Sequence, residues 1–438
     1  MKQKLNSKEN IAVSSMLFGM FFGAGNLIFP VHMGQLAGAN VWPAVVGFIV
    51  TGVGIPILGV TAIGITHSDG LQTLSSKAGK LFGYLFTCAL YLTIGPLFAI
   101  PRCATTSFTT GIEPMLGEGS KESMVLLIFS AVFFALVLFF SLRPSGIITW
   151  IGKIINPIFL VLLTILVIAA MVDPAAEISD ITPDAAYSDS AFFTGFLEGY
   201  NTMDAIAGLA FGIIVINSIR SLGVEDDDDV AKATLKSGIF AGLLMALIYV
   251  LTTVMGTQSR GLFEVSDNGG IALIQISQHY LGAAGSIVLA GAISFACLKT
   301  AIGLVTSCSE TFVKMFPKKL NYKAYAIIFS VFSFVVSNVG LTSLIEYSIP
   351  VLMLLYPLTV ALIVLAFLDK FFGGAKCVYV CTMIGAFAAA VIDFLATLPF
   401  GIDVSFAGKI LPFYNLGLGW IVPTVLGFVV GMLLRKKK

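Results

Sequence analysis

Long apolar stretches alternate with short polar segments along almost the whole chain. An α-helix needs roughly 20 largely apolar residues to cross a bilayer, so the pattern predicts an all-α integral membrane protein of about twelve transmembrane helices. The stretch 270–281 is too short and polar to cross, and we expect a helix on one membrane surface there. The predicted spans are 12–35, 42–66, 81–106, 123–142, 147–172, 191–219, 237–258, 285–313, 324–338, 343–368, 377–398 and 414–434.

Composition and loop charges indicate the environment and the orientation. Charged residues make up 11% of the chain, whereas a soluble domain has roughly 25%. Cytoplasmic loops are enriched in lysine and arginine, and with a cytoplasmic N-terminus 20 of the 25 basic residues lie in inner loops. We therefore expect a multi-pass protein of the bacterial cytoplasmic (inner) membrane with both termini in the cytoplasm. The inner set is Lys2, Lys4, Lys8, Lys77, Lys80, Arg143, Lys153, Arg220, Lys232, Lys236, Lys314, Lys318, Lys319, Lys323, Lys370, Lys376, Arg435, Lys436, Lys437 and Lys438, and the outer set is Lys121, Arg260 and Lys409.

Two spans contain residues that weaken a helix near its middle. The first has three glycines, an asparagine and a proline between positions 19 and 30, and the sixth has two carboxylates, an asparagine and a threonine between 198 and 204. Unwound backbone at membrane depth is tolerated only where it is buried in protein or lines a cavity. Both spans also hold a G-xxx-G pair, so close helix packing is the alternative explanation for either span alone. We expect residues near 23–26 and 199–202 to be non-helical and to face each other.

The two interrupted spans open two blocks of similar length. Spans one to five cover 12–172 and spans six to ten cover 191–368, followed by two peripheral helices in 377–434. Five is an odd number, so the second block enters the membrane in the opposite orientation. Interrupted segments at matching positions of two inverted halves point to a transport site at the bilayer midplane. The pattern favours a secondary transporter built as a five-plus-five inverted repeat.

An interrupted helix exposes backbone N–H groups on one side of the break and C=O groups on the other. The N–H groups suit a carboxylate and the C=O groups suit an ammonium or a metal cation, so one break can bind both charged groups of an amino acid. The side-chain oxygens of Asn26 and Thr202 would suit Na+. The neighbouring Phe21, Phe22 and Tyr200 favour an uncharged substrate side chain.

Three segments carry a resemblance to a known family. They are FGMFFGAGNLIFP at 18–30, EGYNTMD at 198–204 and CLKTAIGL at 297–304. With them the chain resembles, over nearly its whole length, the bacterial branched-chain amino-acid carriers of the BrnQ family. The resemblance implies uptake of leucine, isoleucine and valine driven by a gradient of Na+ or H+, within a lipid bilayer, without cofactor, nucleic acid or obligatory protein partner. The first break is also similar to that of LeuT-fold sodium symporters, which implies that Gly25 offers its N–H to the substrate carboxylate and that Asn26 is a sodium ligand.

The same similarity to LeuT-fold symporters implies a role for Lys299 in ion coupling. In sodium symporters of this fold, that part of helix eight supplies hydroxyl residues to a second sodium site, and Lys299 and Thr300 stand at the two positions. The ammonium would then replace the metal ion and bond to carbonyl groups near Gly19 and Phe22. Burial disfavours the charged form of a lysine, so Lys299 could release a proton and couple transport to a proton gradient. The alternative is a structural pair with a carboxylate such as Asp204, and the coupling ion, Na+ or H+, stays open.

Ionisable side chains inside spans are functional candidates by default. Arg102 is expected to bind Glu198 or Asp204 or to extend toward the membrane surface, and Asp393 has no assigned role. The candidate substrate-binding residues are Phe21, Gly23, Ala24, Gly25, Asn26, Gly199, Tyr200, Asn201 and Thr202. The candidate ion-coupling residues are Gly19, Phe22, Asn26, Thr202, Asp204, Lys299 and Thr300, with Asn26 and Thr202 as the possible Na+ ligands.

Two other functional classes make demands that the sequence does not meet. A channel would need a filter motif or a ring of like charges, and neither is evident. A membrane-embedded enzyme would need a motif such as His-Glu-x-x-His or Gly-x-Ser-x-Gly, and neither occurs. We therefore predict no enzymatic activity. A symporter for another small neutral solute is the closer alternative, and an ion channel the more distant one.

Overall fold

The computed structural model describes residues 4–116, 121–399 and 402–435. Regular structure in these ranges is helical, with no strand. Nine helical segments of the described ranges are long and apolar enough to cross a membrane, and two further apolar helices are shorter. The all-α membrane class is confirmed, while the total of twelve spans stays a prediction.

The α-helices are α1 Ser7–Phe21, α2 Gly25–Ala37, α3 Val41–Ile49, α4 Ile55–Ile65, α5 Leu71–Ser75, α6 Lys80–Leu92, α7 Ala99–Ser107, α8 Glu122–Ser141, α9 Asn156–Val172, α10 Ala185–Ser188, α11 Ala191–Glu198, α12 Asp204–Ser221, α13 Asp227–Ser259, α14 Gly269–Leu281, α15 Ala283–Met315, α16 Tyr322–Ser337, α17 Leu341–Phe372, α18 Lys376–Ala396, α19 Ala407–Ile410 and α20 Ile421–Leu433.

Two helices, α1 and α13, begin several residues before their apolar stretches, and each has a polar residue as its N-cap. At α1, Asn6 Oδ1 accepts from the Glu9 N–H at 2.9 Å and Glu9 Oε2 accepts from the Asn6 N–H at 2.8 Å. At α13, Asp226 Oδ1 accepts from the Asp229 N–H at 3.0 Å. Such caps satisfy N–H groups that have no partner inside the helix. Both helices therefore begin before the predicted starts at 12 and 237, because a capped polar first turn carries no hydropathy signal.

The last helix is shorter than the predicted span 414–434. Tyr414–Leu416 forms a 3₁₀ turn, flanked by Phe413 and Gly417 with φ of 63° and 69°. Left-handed residues on both sides of a turn interrupt regular helix. The helical part therefore starts only at Ile421, although the residues before it are apolar enough to suggest an earlier start.

The first interruption is short. α1 ends at Phe21 and α2 begins at Gly25, so the non-helical residues are 22–24. Gly25 and Asn26 lie in the first turn of α2, which corrects the prediction that 23–26 are all non-helical. A helix start placed directly at the break presents its unbonded N–H groups there.

The second interruption lies between α11 and α12. A single 3₁₀ turn, Gly199–Thr202, follows α11, and Met203 has a left-handed φ of 64° before α12 begins at Asp204. A non-glycine residue rarely adopts this conformation. The α-helical ladder therefore stops at this point, as predicted, although 199–202 keep one tight helical turn.

Close glycine contacts hold α12 against α4. α12 is the most enclosed of the nine apolar segments, with 83% of its 18 residues buried inside the protein. A Cβ on Gly208 would clash with the backbone of Pro56, and one on Gly212 would lie 2.6 Å from Ile63. The G-xxx-G pair of the sixth span therefore serves helix packing, and the interruption precedes it.

The segment 270–281 forms the predicted helix, α14. Asn268 Oδ1 caps it by accepting from the N–H groups of Gly270 and Ile271 at 2.9 and 3.1 Å. α14 packs against α2 and α15, and a Cβ on Gly269 would clash with the backbone of Ile28. Its position at the membrane surface stays a prediction.

Candidate functional site

A cavity of about 50 Å³ lies where the two interrupted helices meet. On the scale of roughly 10–15 Å³ for one water, it has room for a few water molecules. Its wall comes from α1, α2, α7, α12 and α15, from the two interruptions, and from Ile94 in the segment between α6 and α7. The lining residues are Met20, Phe21, Gly23, Ala24, Gly25, Asn26, Ile94, Ala99, Arg102, Cys103, Thr202, Met203, Asp204, Ala207, Phe211, Thr300 and Leu304.

A buried polar network joins the two interrupted helices. Asn26 Oδ1 accepts from the Gly23 N–H at 3.0 Å, and Asn26 Nδ2 donates to Asp204 Oδ2 and to the hydroxyl of Tyr249. The Tyr249 hydroxyl also donates to Asp204 Oδ2, at 3.2 Å. Asp204 is therefore a carboxylate at membrane depth whose hydrogen-bond partners come from α2 and α13. Intramembrane carboxylates of this kind mark ion or substrate pathways.

Thr202 stabilises the second interruption. Its Oγ1 donates to the Gly199 carbonyl at 2.8 Å and accepts from the Asp204 N–H at 3.2 Å. The hydroxyl thus gives the N–H of Asp204, the first residue of α12, a hydrogen-bond partner. The side-chain oxygens of both predicted Na+ ligands, Asn26 and Thr202, already take part in hydrogen bonds, although each keeps a free lone pair.

Three predicted substrate-binding residues lie outside the cavity wall. The ring of Tyr200 stacks on that of Tyr356 at a centroid distance of 4.1 Å, and the Tyr356 hydroxyl donates to the Tyr200 carbonyl. Asn201 Nδ2 donates to Glu198 Oε2 at 3.0 Å. Gly199 packs against Thr51, where a Cβ would clash with its hydroxyl. The turn therefore presents Thr202 and Met203 to the cavity, while Gly199, Tyr200 and Asn201 hold it in place.

Arg102 lines the cavity without a carboxylate partner. The ion pairs of the described residues include neither Arg102 with Glu198 nor Arg102 with Asp204, so the first of the two alternatives expected for Arg102, a pair with one of these carboxylates, does not form. Its guanidinium carbon lies 4.8 Å from the ring centroid of Phe29. A Cβ placed on Gly25 would lie 3.2 Å from Arg102 Nη2. The guanidinium therefore lies beside the start of α2.

Lys299 is fully buried on the other side of α1. Its Nζ donates to Asn156 Oδ1 at 2.9 Å and lies 3.6, 4.8 and 5.6 Å from the ring centroids of Phe159, Phe18 and Phe22. The expected bonds to carbonyl groups near Gly19 and Phe22 and the alternative pair with Asp204 do not form. The partner is an amide instead, and the aromatic rings add cation–π attraction.

The Lys299 contact continues into a short polar chain. Asn156 Nδ2 donates to Ser15 Oγ at 2.9 Å, and Ser15 Oγ donates to the Gly152 carbonyl at 2.6 Å. The chain connects α15 through α9 to α1. Asn156 was missed because nothing in a one-dimensional sequence pairs it with Lys299, although an asparagine in an apolar span is itself unusual.

Thr300 lines the cavity next to the first interruption. A Cβ on Gly23 would lie 3.1 Å from Thr300 Oγ1, and this hydroxyl is buried without a hydrogen-bond partner among the described residues. A buried hydroxyl normally has a partner. Thr300 is thus free to bond to a ligand in the cavity, as its predicted role requires.

Several lining residues were missed by the predictions from sequence. Met203, Ala207 and Phe211 recur at helical spacing from the end of the second interruption, and Leu304 lies four residues after Thr300, which the sequence did predict. One face of a helix recurs every three to four residues. Extending the predicted site by one and two turns along α12 and α15 would have found these positions.

This chain is similar to known transport proteins over nearly its whole length. Residues 6–438 match the family model of the branched-chain amino acid transport protein. The chain is 50% identical to the branched-chain amino acid permease BrnQ of Lactobacillus delbrueckii subsp. lactis, over 98% of this chain and 97% of the relative. It is 42% identical to the permease BraB of Bacillus subtilis (strain 168), over 99% and 97%.

Solved structures support the LeuT-like fold. The nucleobase-cation-symport-1 family transporter Mhp1, with bromovinylhydantoin bound, has a TM-score of 0.65 at 13% identity, covering 97% of this chain and 91% of that chain. MhsT in complex with L-phenylalanine has a TM-score of 0.54 at 17% identity, covering 99% of both chains. The resemblance carried by the three sequence segments is confirmed, and the chain belongs to the branched-chain amino acid transport protein family.

Proposed function

We propose that this protein is a secondary transporter that imports leucine, isoleucine and valine, driven by a gradient of Na+ or H+. The observation that carries the proposal is the cavity at the two interruptions, which combines a helix start, a carboxylate and apolar walls. The names of its relatives, branched-chain amino acid permeases, point to the same substrates. The protein is a transporter by family and not an enzyme.

The substrate's backbone is bound at the first interruption. Gly25 and Asn26 begin α2, and N–H groups at a helix start favour a carboxylate. Phe21, Gly23 and Ala24 line the adjoining wall. Thr202 faces them from the second interruption, whereas Gly199, Tyr200 and Asn201 act by holding that turn.

The branched side chain lies against apolar residues. Phe21 contacts Phe211 edge to face, with ring centroids 5.3 Å apart, and Ile94, Ala207 and Leu304 complete the apolar part of the wall. Transfer of an aliphatic side chain into such a site is favourable by about 25 cal/mol per Å² of apolar surface removed from water. A charged side chain would be buried there without a partner.

Ion coupling is assigned to two places. The first is Asp204 with Asn26 and Thr202, where a carboxylate and side-chain oxygens suit Na+ or a proton. The second is Lys299, between Gly19 and Phe22 of the first span and next to Thr300. A Cβ on Gly19 would lie 3.5 Å from Lys299 Cδ, so the lysine side chain occupies the space beside that glycine.

The membrane arrangement completes the proposal. We assign the protein to the bacterial cytoplasmic membrane with both termini inside, from the distribution of basic residues. Of that basic set, Lys2 and 436–438 lie outside the described residues. The division into two inverted repeats, 12–172 and 191–368, with peripheral helices in 377–434, is part of the same proposal. It agrees with interruptions that open both blocks.

Uptake by the purified protein in sealed liposomes tests the proposal. Radiolabelled leucine is offered under a Na+ gradient, a pH gradient, or neither. We expect saturable accumulation under at least one gradient and its collapse when the matching ionophore is added. Leucine flux that does not saturate, or that ignores both gradients, would contradict a secondary transporter.

A further inference from the structure

Arg102 is a cation inside the protein that forms no ion pair within 4.0 Å among the described residues. An arginine at membrane depth is costly and normally pairs or faces an aqueous cavity. Its guanidinium carbon lies over the face of the Phe29 ring, 4.8 Å from the ring centroid. Asp204 lines the same cavity, but its Oδ2 accepts from Asn26 and Tyr249 and no hydrogen bond joins the carboxylate to Arg102. The guanidinium therefore has donors to offer to a ligand.

The start of α2 beside it also has free donors. The N–H groups of Leu27 and Ile28 both bond to the Ala24 carbonyl, at 3.0 Å. No side chain caps this helix, and the N–H groups of Gly25 and Asn26 have no acceptor among the described residues. Free N–H groups at the start of α2 therefore lie next to the Arg102 guanidinium.

Placing these two features side by side is unfavourable unless an anion lies between them. A helix start carries the equivalent of roughly +0.5 charge, and the guanidinium adds a full positive charge. A Cβ on Gly25 would lie 3.2 Å from Arg102 Nη2, so the guanidinium lies beside the helix start with no side chain between them. One carboxylate would satisfy both, because it has two oxygens and matches the geometry of a guanidinium.

We propose that Arg102, together with the N–H groups of Gly25 and Asn26, binds the substrate carboxylate and makes that group a requirement for transport. This inference rests on the proposed function, since it assigns one group of the proposed substrate. It also gives Arg102 a role that its contact with Phe29 alone does not. The ring then orients the guanidinium toward the helix start.

The consequence is a selectivity that can be measured. Leucinol has the side chain and ammonium of leucine but no carboxylate. A site built to bind a charged or hydrogen-bonding group strongly rejects an analogue that lacks it, because its own buried groups are left unpaired. We expect leucinol to compete with leucine at least about a hundredfold less well than leucine itself.

The test compares Arg102→Met and Arg102→Lys with Arg143→Met. Arg143 is a matched control because its guanidinium also lies over a phenylalanine, Phe139, at 5.1 Å, but it does not line the cavity. Binding is followed in the purified full-length protein by the rise in Tm with leucine or leucinol, and in liposomes by competition against labelled leucine. In Arg102→Met we expect leucine affinity to fall about a hundredfold and the preference over leucinol to shrink to within about tenfold.

The remaining outcomes separate this inference from the proposed function. Arg102→Lys keeps the charge but not the fork of donors, so its preference for leucine should fall at least about tenfold below that of wild type. Arg143→Met should match wild type. If Arg102→Met folds and keeps the wild-type leucine-to-leucinol ratio, or if Arg102→Lys does so where the methionine variant fails to fold, Arg102 does not bind the carboxylate. Absence of leucine uptake by the wild-type protein would instead overturn the proposed function.

Discussion

Asn26 donates a hydrogen bond to the carboxylate of Asp204, which joins the first turn of α2 to the first turn of α12. The two residues are 178 positions apart in the chain, and Tyr249 of α13 contacts both. The bond crosses from one interrupted helix to the other beside the cavity. A cation or proton that binds Asp204 would therefore act on both interrupted helices at once.

Replacing Asp204 with asparagine removes the one carboxylate among the described residues that line the cavity. We expect Asp204→Asn to lose gradient-driven accumulation of leucine at least about tenfold, the factor that corresponds to roughly 1.4 kcal/mol of coupling free energy. Exchange of internal for external leucine, which needs no net ion movement, should persist. Both are measured in liposomes under separate Na+ and pH gradients.

Asp180→Asn is the control for this substitution, because Asp180 is exposed in the segment between α9 and α11. It should accumulate leucine like wild type. Wild-type accumulation by Asp204→Asn under both gradients would remove Asp204 from coupling.

Replacing Gly25 with valine should abolish transport without unfolding the protein. A Cβ there would already lie 3.2 Å from both Arg102 Nη2 and the Phe29 ring, and a branched side chain would push into the carboxylate position. Gly25→Ala should lose less. Uptake in liposomes and Tm in detergent, measured together, separate loss of the site from loss of the fold.

Gly54→Val is the matched control, since a Cβ on Gly54 meets nothing closer than 3.9 Å. It should transport leucine. Uptake by Gly25→Val at the wild-type rate would show that the start of α2 does not bind the substrate.

Some parts of this site can be predicted from the sequence and others cannot. The apolar spans and the two interruptions are readable because length, glycine and proline are local properties. Which way each helix faces is not, because α12 is apolar around most of its circumference and gives no amphipathic stripe. The turn before α12 gives no directional signal either, so Gly199, Tyr200 and Asn201 were assigned to the cavity. In the structure this turn presents Thr202 and Met203 to the cavity instead.

Pairings between distant polar residues are also beyond sequence pattern. Lys299 and Asn156 are 143 positions apart, and their contact depends on how α15 packs against α9. Arg102 was expected either to bind a carboxylate or to extend toward the membrane surface, because an isolated charge is costly in a membrane. In the proposed site the carboxylate comes from the bound substrate. The sequence of the protein contains no sign of a charge that the substrate supplies.

The apolar wall of the cavity should accept leucine, isoleucine and valine and exclude lysine and glutamate. Burying an unpaired charged side chain costs several kcal/mol, and about 1.4 kcal/mol gives a factor of ten. Lysine and glutamate should therefore compete over a hundredfold less well than valine, by the same conversion. The measurement is inhibition of labelled leucine uptake by each unlabelled amino acid. Inhibition by lysine equal to that by valine would contradict the apolar wall.

Lys299 provides the last prediction, which concerns the coupling ion. Its ammonium is enclosed by three phenylalanine rings and bonded to one amide oxygen, that of Asn156. Through Asn156 and Ser15 it reaches α1, so a change in its charge would alter how α1 is held. We expect Lys299→Ala to lose the dependence of leucine uptake on a pH gradient. Lys299→Thr places a hydroxyl beside that of Thr300 and should increase the dependence on Na+, because hard cations prefer oxygen ligands.

Uptake by these variants is measured under separately imposed Na+ and H+ gradients, with Lys314→Ala as the control. Lys314 is near the end of the same helix, α15, outside the cavity wall, so its replacement should leave the ion dependence unchanged. A purely structural lysine would lower the Tm and the amount of folded protein but would leave the ratio of Na+-driven to H+-driven uptake at its wild-type value. If both Lys299 variants keep that ratio, Lys299 has no part in coupling, and the polar chain through Asn156 and Ser15 serves only to hold α1 against α9 and α15.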